Sequence, residues 1–354
     1  MCEHRDLAPS PHRLRHRSAP PRPSTRLLAA LSCTLALVGL MALAGCSAPA
    51  DAPHGKIVLG FSAWPGWFPW QVAQEQGLFA KHNLDVELRY YDNYTDSIKA
   101  LADGKIDANS QTLNDTLASV SGGAKLSIVL VNDNSTGNDK IIARDGIASI
   151  ADLRGKRVAV EEGTVDHYLL LLALAEANLT QQDIQLVPLA TDAAAAAFAA
   201  GQVDAVGAFA PFTSTALARQ GSRAIATSAE FPGAIPDHLA VSAALARSRP
   251  DQVQGLVDTW YDALKWIKAN KDAADAIMAR RAGVSTEEYR TYDAGTTIFT
   301  LRQNLDAFTP GTTPAHLNYQ AGQIVDFLVN AQQMRQRPSL NGLFDTRFVA
   351  AVSQ

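Results

Sequence analysis

The sequence predicts an α/β protein built as two similar lobes, each a mostly parallel sheet flanked by helices. From Lys56 onward, short apolar segments of strand length alternate with helical stretches, a pattern typical of βαβ units. The segment 102–108, Ala-Asp-Gly-Lys-Ile-Asp-Ala, recurs at 199–205 as Ala-Ala-Gly-Gln-Val-Asp-Ala, where a helical stretch again gives way to a strand. Beyond Arg249 the apolar residues follow helical spacing, which predicts helices packed on the first lobe.

Residues 1–45 have the composition of an export signal, so they are set aside from the fold. Arginines are frequent in residues 1–26, and the uncharged apolar run Leu27–Gly45 follows them. Residues 43–46, Leu-Ala-Gly-Cys, are similar to a bacterial lipobox, which predicts lipid attachment at Cys46 and a tether over residues 46–55. A transmembrane anchor is the alternative, because the apolar run is nearly long enough to span a bilayer.

Charge and cysteine content narrow the classes of partner. The formal net charge of −4 becomes −8 once residues 1–45, with six arginines, one aspartate and one glutamate, are removed. An acidic chain argues against a nucleic-acid partner, which requires a basic surface. We expect Cys2 and Cys33 to be removed when the signal peptide is cleaved and Cys46 to carry lipid. The exported domain should therefore have no disulfide.

The strand pattern divides the remaining chain between the two lobes. We assign residues 56–139 to the first lobe, 140–234 to the second, and 235–354 to a return strand and carboxyl-terminal helices of the first. The predicted strands are Lys56–Leu59, Asp85–Tyr90, Ala108–Gln111, Ser127–Val131, Arg157–Val160, Gln185–Val187, Ala205–Ala208 and Ala224–Thr227. Gly104 and Gly201, in the repeated segment, suit left-handed helix C-caps.

The loop Gly60–Trp70, after the first predicted strand, is the strongest candidate for a binding element. Its sequence, GFSAWPGWFPW, places Trp64, Trp67 and Trp70 three residues apart on a chain shaped by proline and glycine. In open α/β sheets, ligands bind beyond the carboxyl ends of the strands. We predict that at least one tryptophan lines a pocket; the alternative is that all three pack in the core.

Acidic residues follow other predicted strands. After Arg157–Val160 comes the loop Glu161-Glu162-Gly-Thr-Val-Asp166-His, whose carboxylates would repel an anion. We predict that Glu162 binds the ligand, the alternative being an exposed rim position. For Asp166 we favour a structural role, in which Thr164 caps the next helix and Asp166 complements its dipole.

Further candidates lie where we expect the lobes to face each other. Asn114 and Asp115 follow the strand Ala108–Gln111, although Asp115 could instead cap a helix. Asp139 and Asp237 fall at the two predicted crossings between lobes. Phe209 follows the repeated segment of the second lobe and either closes the pocket or packs at the start of a helix.

Several motifs resemble the periplasmic substrate-binding proteins of ABC importers for nitrate, sulfonates, taurine and thiamine precursors. The matching segments cover most of Lys56–Phe348: Gly60-Phe-Ser, Gln74–Phe79, Leu84–Leu88, Gly104–Ala108, Gly201–Ala205 and, most specific, Ile150–Val160, which reads IADLRGKRVAV. The resemblance implies a type II periplasmic-binding-protein fold with a two-strand hinge. It also implies a monomer that captures a solute by hinge closure and delivers it to a permease with its ATPase.

A narrower resemblance concerns the ligand. The Trp-Pro-Gly-Trp loop, Asn132–Asp139, Glu161–His167 and Pro236–Ser242 are similar to a subgroup of urea-carboxylase-associated importers, which implies guanidine. Together with the acidic loop after Val160, this resemblance favours a small planar cation or a neutral nitrogen-rich solute as the ligand. The alternative is an aliphatic sulfonate, taurine or nitrate.

Other functional classes fit the sequence less well. It has no phosphate-binding loop, zinc-protease motif or nucleophile elbow, and we expect no catalysis, metal or cofactor. A pyrimidine-synthesising enzyme of related fold is disfavoured because its cysteine-rich motif is missing. A hydrolase or a sensory lipoprotein on the same fold remains the alternative of another class.

Overall fold

The computed structural model describes residues 55–352. The predicted signal, the lipidation site Cys46 and all of the tether except Gly55 therefore lie outside the described residues. The strands are β1 Ile57–Ser62, β2 Val86–Tyr91, β3 Ala108–Thr112, β4 Leu126–Ser135, β5 Asp139–Ala143, β6 Arg157–Val160, β7 Gln185–Pro188, β8 Ala205–Phe209, β9 Arg223–Thr227, β10 Pro236–Ser242 and β11 Thr296–Ile298.

The strands form two sheets, one in each lobe. The first lobe has the order β11-β4-β10-β3-β1-β2, and the second has the order β7-β6-β8-β5-β9. Strands that belong to βαβ units pair in parallel, whereas β10 runs antiparallel to β3 and β4, and β5 runs antiparallel to β8 and β9. The predicted α/β class is correct, and each sheet is mixed because the chain re-enters it from the other lobe.

Helices cover the faces of both sheets. They are α1 Pro69–Glu75, α2 Leu78–Lys81, α3 Tyr94–Ala102, α4 Leu113–Ser121, α5 Val165–Glu176, α6 Thr191–Ala199, α7 Phe212–Leu217, α8 Ala243–Ser248, α9 Pro250–Ala269, α10 Lys271–Ala282, α11 Thr286–Thr291, α12 Leu301–Ala307, α13 Leu317–Asn330 and α14 Arg347–Ala350. Within residues 55–352, no helix combines the length and apolar character needed to cross a membrane.

The repeated segment forms the same turn in both lobes. α3 and α6 end at Ala102 and Ala199, and Gly104 and Gly201 then adopt φ values of 70° and 77°. Residues with a side chain rarely adopt this left-handed conformation, so glycine is favoured at both positions. The predicted C-caps are confirmed, and each leads directly into a buried strand, β3 or β8.

Two crossings connect the lobes. The chain leaves the first sheet after Ser135, enters the second at Asp139, and returns between Thr227 and Pro236. The carboxyl ends of β1 and β3 in the first lobe therefore face the carboxyl ends of β6 and β8 in the second lobe across a cleft. This arrangement places the loops after these four strands around one enclosed space.

Candidate functional site

A small cavity lies in the cleft between the lobes. Its walls come from both lobes: Ala63, Trp64, Trp67, Tyr94, Thr112, Ile235 and Asp237 from the first, and Asp139, Val165 and Phe209 from the second. Its free volume is about 10 Å³, about what one water molecule needs. A solute larger than water can therefore enter only if the lobes separate or the walls move.

Four aromatic side chains form a closed ring around this cavity. Centroid distances are 6.5 Å for Trp64 to Trp67, 5.3 Å for Trp67 to Tyr94, 6.2 Å for Tyr94 to Phe209 and 6.3 Å for Phe209 to Trp64. All four side chains are buried. Aromatic faces carry negative electrostatic potential, so such a ring attracts an organic cation.

The tryptophan loop is held in place by a carboxylate. Trp64 Nε1 donates a 2.9 Å hydrogen bond to Asp133 Oδ1 on β4. Between the two tryptophans lies Gly66, where an added Cβ would stand 2.0 Å from Asp133 Oδ2. Glycine is therefore required here by the close approach of Asp133, and this contact fixes the loop against the sheet.

Six buried carboxyl groups cluster about the cavity, three from each lobe. The first lobe contributes Asp115, Asp133 and Asp237, and the second contributes Asp139, Glu161 and Asp166. Five of their oxygens have no hydrogen-bond partner: Asp133 Oδ2, Asp139 Oδ2, Asp166 Oδ1 and both oxygens of Asp237. Unpaired buried acceptors are costly, so their number here indicates a site that a donor-rich ligand would complete.

Burial dominates the protonation of the five aspartates in this group. It raises the pKa of Asp115 and Asp133 to about 7 and that of Asp139 to about 6. The pKa values of Asp166 and Asp237 are raised well above their usual range, first by burial and then by neighbouring carboxylates. In the absence of a cation, the cluster therefore retains protons near neutral pH.

No arginine or lysine is among the residues that line this cavity. Lys140 follows Asp139 on β5, but neighbouring residues on a strand point to opposite faces, and the Lys140 ammonium donates to the carbonyl of Gly137. Within the part of the chain that the structure describes, no three His, Cys, Asp or Glu side chains converge as a metal site. Among the described residues, those that line the cavity therefore include carboxyl groups and no basic side chain.

The structure brings together five of the nine residues predicted to bind ligand. Trp64, Trp67, Asp139, Phe209 and Asp237 all line the cavity. Asp115 is buried just behind the wall, where its Oδ2 accepts a 2.6 Å hydrogen bond from the Thr112 hydroxyl. Asn114 is buried beside it and donates to Asp115 Oδ1.

Trp70 and Glu162 are placed elsewhere. Trp70 stacks on Phe79, contacts Trp260 and donates to the Ser110 hydroxyl, so it belongs to the core. Glu162 is exposed, because the chain turns after β6 so that its neighbour Glu161 points inward instead.

The structural role favoured for the loop after β6 is corrected for Thr164, whereas Asp166 does lie in the first turn of α5, where a carboxylate complements the helix dipole. Thr164 precedes α5 but makes no side-chain capping bond, and its hydroxyl donates to the Glu161 carbonyl. Asp166 is buried in the first turn, with Oδ2 3.4 Å from the Thr191 hydroxyl. Four further residues at or near the cavity were not predicted from the sequence, namely Asp133, Glu161, Tyr94 and Thr112, although Asp133 and Glu161 lie within the motifs Asn132–Asp139 and Glu161–His167.

Comparison with known proteins finds one matching family model and several relatives that are named as binding proteins. A family model described as the NMT1-like family matches residues 50–282. A Brucella abortus protein, whose name proposes a binding role and no ligand, is 29% identical over 263 residues, covering 72% of this chain and 80% of the relative. The taurine-binding periplasmic protein of Escherichia coli is 25% identical over 283 residues, covering 76% of this chain and 86% of the relative.

Solved structures share the fold. The alkanesulfonate-binding protein SsuA from Xanthomonas axonopodis pv. citri, solved with MOPS, superposes with a TM-score of 0.71 at 21% identity, covering 83% of this chain and 99% of that one. The desulfurization enzyme DSZB superposes with a TM-score of 0.60 at 21% identity, covering 83% of this chain and 97% of that one. The fold is that of the periplasmic binding proteins.

Proposed function

The chain belongs to the NMT1-like family, and from this premise we propose that it is the exported solute-binding protein of an ABC importer. It captures a small solute between its lobes and delivers it to a permease with its ATPase. Support comes from the binding proteins among its relatives and from a cavity whose walls belong to both lobes. An enclosed site of this kind requires opening and closing of the lobes for each round of capture.

The ligand that we propose is a small planar organic cation of the guanidinium type. The carrying observation is the set of five unpartnered carboxylate oxygens, three of them on the cavity-lining residues Asp139 and Asp237, beside a ring of four aromatic side chains. A guanidinium ion presents N–H donors around its whole edge and two faces to aromatic rings. A quaternary ammonium lacks N–H donors and would leave the oxygens unpaired.

An aliphatic sulfonate or taurine is the second candidate, favoured by the names of relatives. A sulfonate group offers acceptors only, so it would face unpaired acceptors in this cavity, and only the ammonium group of taurine could donate to them. Helix N-termini are the usual anion-binding elements, but Asp115 and Asp166 occupy the first turns of α4 and α5. For these reasons the geometry supports the cation better than the anion.

A thermal-shift screen tests the ligand class. The chain from Ser47 onward, which retains every described strand and helix, is heated with guanidinium chloride, urea, methylammonium, taurine, methanesulfonate or nitrate at millimolar concentration. A ligand at one hundred times its Kd adds about 2.7 kcal/mol to the unfolding free energy. We expect guanidinium to raise Tm, and a rise with taurine or methanesulfonate alone would replace the cation by the sulfonate class.

Membrane anchoring through lipid on Cys46 completes the proposal. The lipobox-like segment 43–46 supports it, with a short polar tether before β1. Metabolic labelling with a radioactive fatty acid should mark the wild-type protein and leave Cys46→Ser unlabelled. Labelling of both proteins alike would place the anchor elsewhere, and the absence of label from both would remove it.

A further inference from the structure

The carboxylate of Glu161 crosses the cleft and bonds to both lobes. Glu161 follows β6 of the second lobe and is buried. Its Oε1 accepts hydrogen bonds from the backbone N–H of Thr95, at 2.9 Å, and from the Thr95 hydroxyl, both in the first lobe. Its Oε2 accepts from the Thr191 backbone N–H at 3.3 Å and from the Thr191 hydroxyl at 2.8 Å, in its own lobe.

Both partners of Glu161 lie in the first turn of a helix. Thr95 is the second residue of α3, and Thr191 is the first residue of α6. N–H groups in a first helical turn lack partners within the helix, and the positive end of the helix dipole favours a carboxylate. Ala190, which precedes α6, has no side chain that could cap this helix, so Glu161 supplies the cap from another loop.

These bonds respond differently to opening of the cleft. The two hydrogen bonds with Thr191 lie within the second lobe and persist when the cleft opens, so they hold the Glu161 carboxylate in place. The pair with Thr95 joins the lobes and exists only when they are closed. Opening therefore costs two charge-assisted hydrogen bonds, which are stronger than neutral ones.

The contact also adjoins the cavity without being part of it. Tyr94, which precedes Thr95, belongs to the aromatic ring, and the Thr191 hydroxyl lies 3.4 Å from Asp166 Oδ2. Glu161 is absent from the residues that line the cavity. Its carboxylate oxygens are instead fully engaged by the two threonines.

We propose that Glu161 is a positioning residue that holds the closed state and thereby sets how long a captured solute is retained. The proposal rests on the proposed capture of a solute between the lobes. It assigns Glu161 no contact with the solute. Glu161 controls the lifetime of closure, whereas the cavity residues control which solute is bound.

Single-molecule fluorescence energy transfer measures this lifetime directly. Ala102→Cys and Ala199→Cys place labels at the exposed ends of α3 and α6, in a chain from Ser47 onward that has no native cysteine. We expect Glu161→Gln to shorten the closed-state dwell time about tenfold, because the amide cannot accept from all four donors. Thr95→Val should shorten it in the same direction, with less than additive effect in the double variant.

Glu162→Gln is the matched control, since it removes the same charge from the exposed neighbouring residue, and its dwell time should equal that of wild type. All variants are measured without ligand and with guanidinium chloride. If guanidinium does not lengthen closure of the wild type, the proposed ligand is wrong, but the unliganded dwell times still test Glu161. Equal dwell times for Glu161→Gln and wild type would overturn the inference.

Discussion

Asp133 on β4 and Asp237 on β10 lie directly opposite each other in an antiparallel strand pair, and both carboxyl groups are buried. Side chains opposite each other on such strands project to the same face of the sheet. Two neighbouring buried carboxyl groups cannot both ionise without a large cost in free energy, so the pair retains a proton. A cationic ligand can take the place of that proton.

Asp237→Asn tests this substitution of proton by ligand. We expect guanidinium affinity to fall by about 2 kcal/mol or more, because a buried partner of the cation loses its charge. The free energy of unfolding without ligand should rise at neutral pH, since the buried amide, unlike Asp237, does not have to take up a proton when the chain folds. Calorimetric titration and urea unfolding measure both effects, with Glu162→Gln as an exposed control. Unchanged affinity would remove Asp237 from the binding site.

The stability of the unliganded protein should depend on pH in the direction opposite to that of ordinary salt-bridged acids. The pKa values of Asp115 and Asp133 rise to about 7, and that of Asp139 rises to about 6, from 3.8. Between about pH 4 and 7 the native chain therefore holds protons that the unfolded chain has released. The free energy of unfolding should fall as pH rises through this window. Urea unfolding at half-unit pH steps measures this dependence. A free energy of unfolding that rises with pH over this window would contradict the burial argument.

Guanidinium affinity should show the reverse dependence. Because the cation competes with bound protons, affinity should increase as pH rises from about 5.5 to 7.5, by up to tenfold per pH unit for each proton released. Titration calorimetry in buffers of different ionisation enthalpy counts those protons directly. A sulfonate would bind more weakly as pH rises, so the sign of the slope separates the two ligand classes.

Trp67→Leu isolates the contribution of an aromatic face, because Trp67 Nε1 has no hydrogen-bond partner. We expect a loss of about 1–2 kcal/mol in cation binding. Trp70→Phe provides the comparison, since Trp70 packs between Phe79 and Trp260 away from the cavity. It should lower the free energy of unfolding and leave affinity unchanged. Equal losses of affinity in both variants would indicate a general effect of loop packing.

Gly66→Ala should disrupt the contact between the tryptophan loop and β4. The added Cβ would stand 2.0 Å from Asp133 Oδ2, so either the loop or the carboxylate must move. We expect destabilisation of about 1–3 kcal/mol and weaker cation binding. Gly322→Ala, in the middle of α13 with open space around its Cβ, should be neutral or stabilising. Urea unfolding and titration calorimetry compare the two variants, and wild-type affinity in Gly66→Ala would show that the contact is dispensable.

Local sequence was enough to predict the fold where strands are apolar and bounded by turns. β6 matches its predicted range, and the repeated glycines mark equivalent helix ends. β4 continues four residues beyond the predicted Val131, through Asn132, Asp133 and Asn134. These residues have low strand propensity, but pairing with β10 and β11 supplies partners for their backbone.

The site was harder to predict because it is assembled from both lobes. Periodicity indicates that one of two adjacent glutamates can face inward, but the turn after β6 decides that it is Glu161 and not Glu162. Asp133 and Asp166 are likewise buried by residues distant in sequence: Asp133 lies against Gly66 and accepts from Trp64, and Asp166 lies against Thr191 and Gly207. The tryptophan loop was recognisable because its composition is unusual, although packing against Trp260 takes Trp70 out of the site.

The position of β10 between β3 and β4 has a consequence for the order in which the chain can fold. β10 is made after the whole second lobe, residues 139–227, which is continuous in sequence. Until β10 emerges, β3 has one unpaired edge and β4 has two, because β11 follows later still, and such edges are prone to aggregation. The second lobe can therefore complete its sheet first, whereas the first lobe must wait for a strand that follows it by a hundred residues or so. Chaperones that hold the chain before it folds would need to protect these edges during that interval.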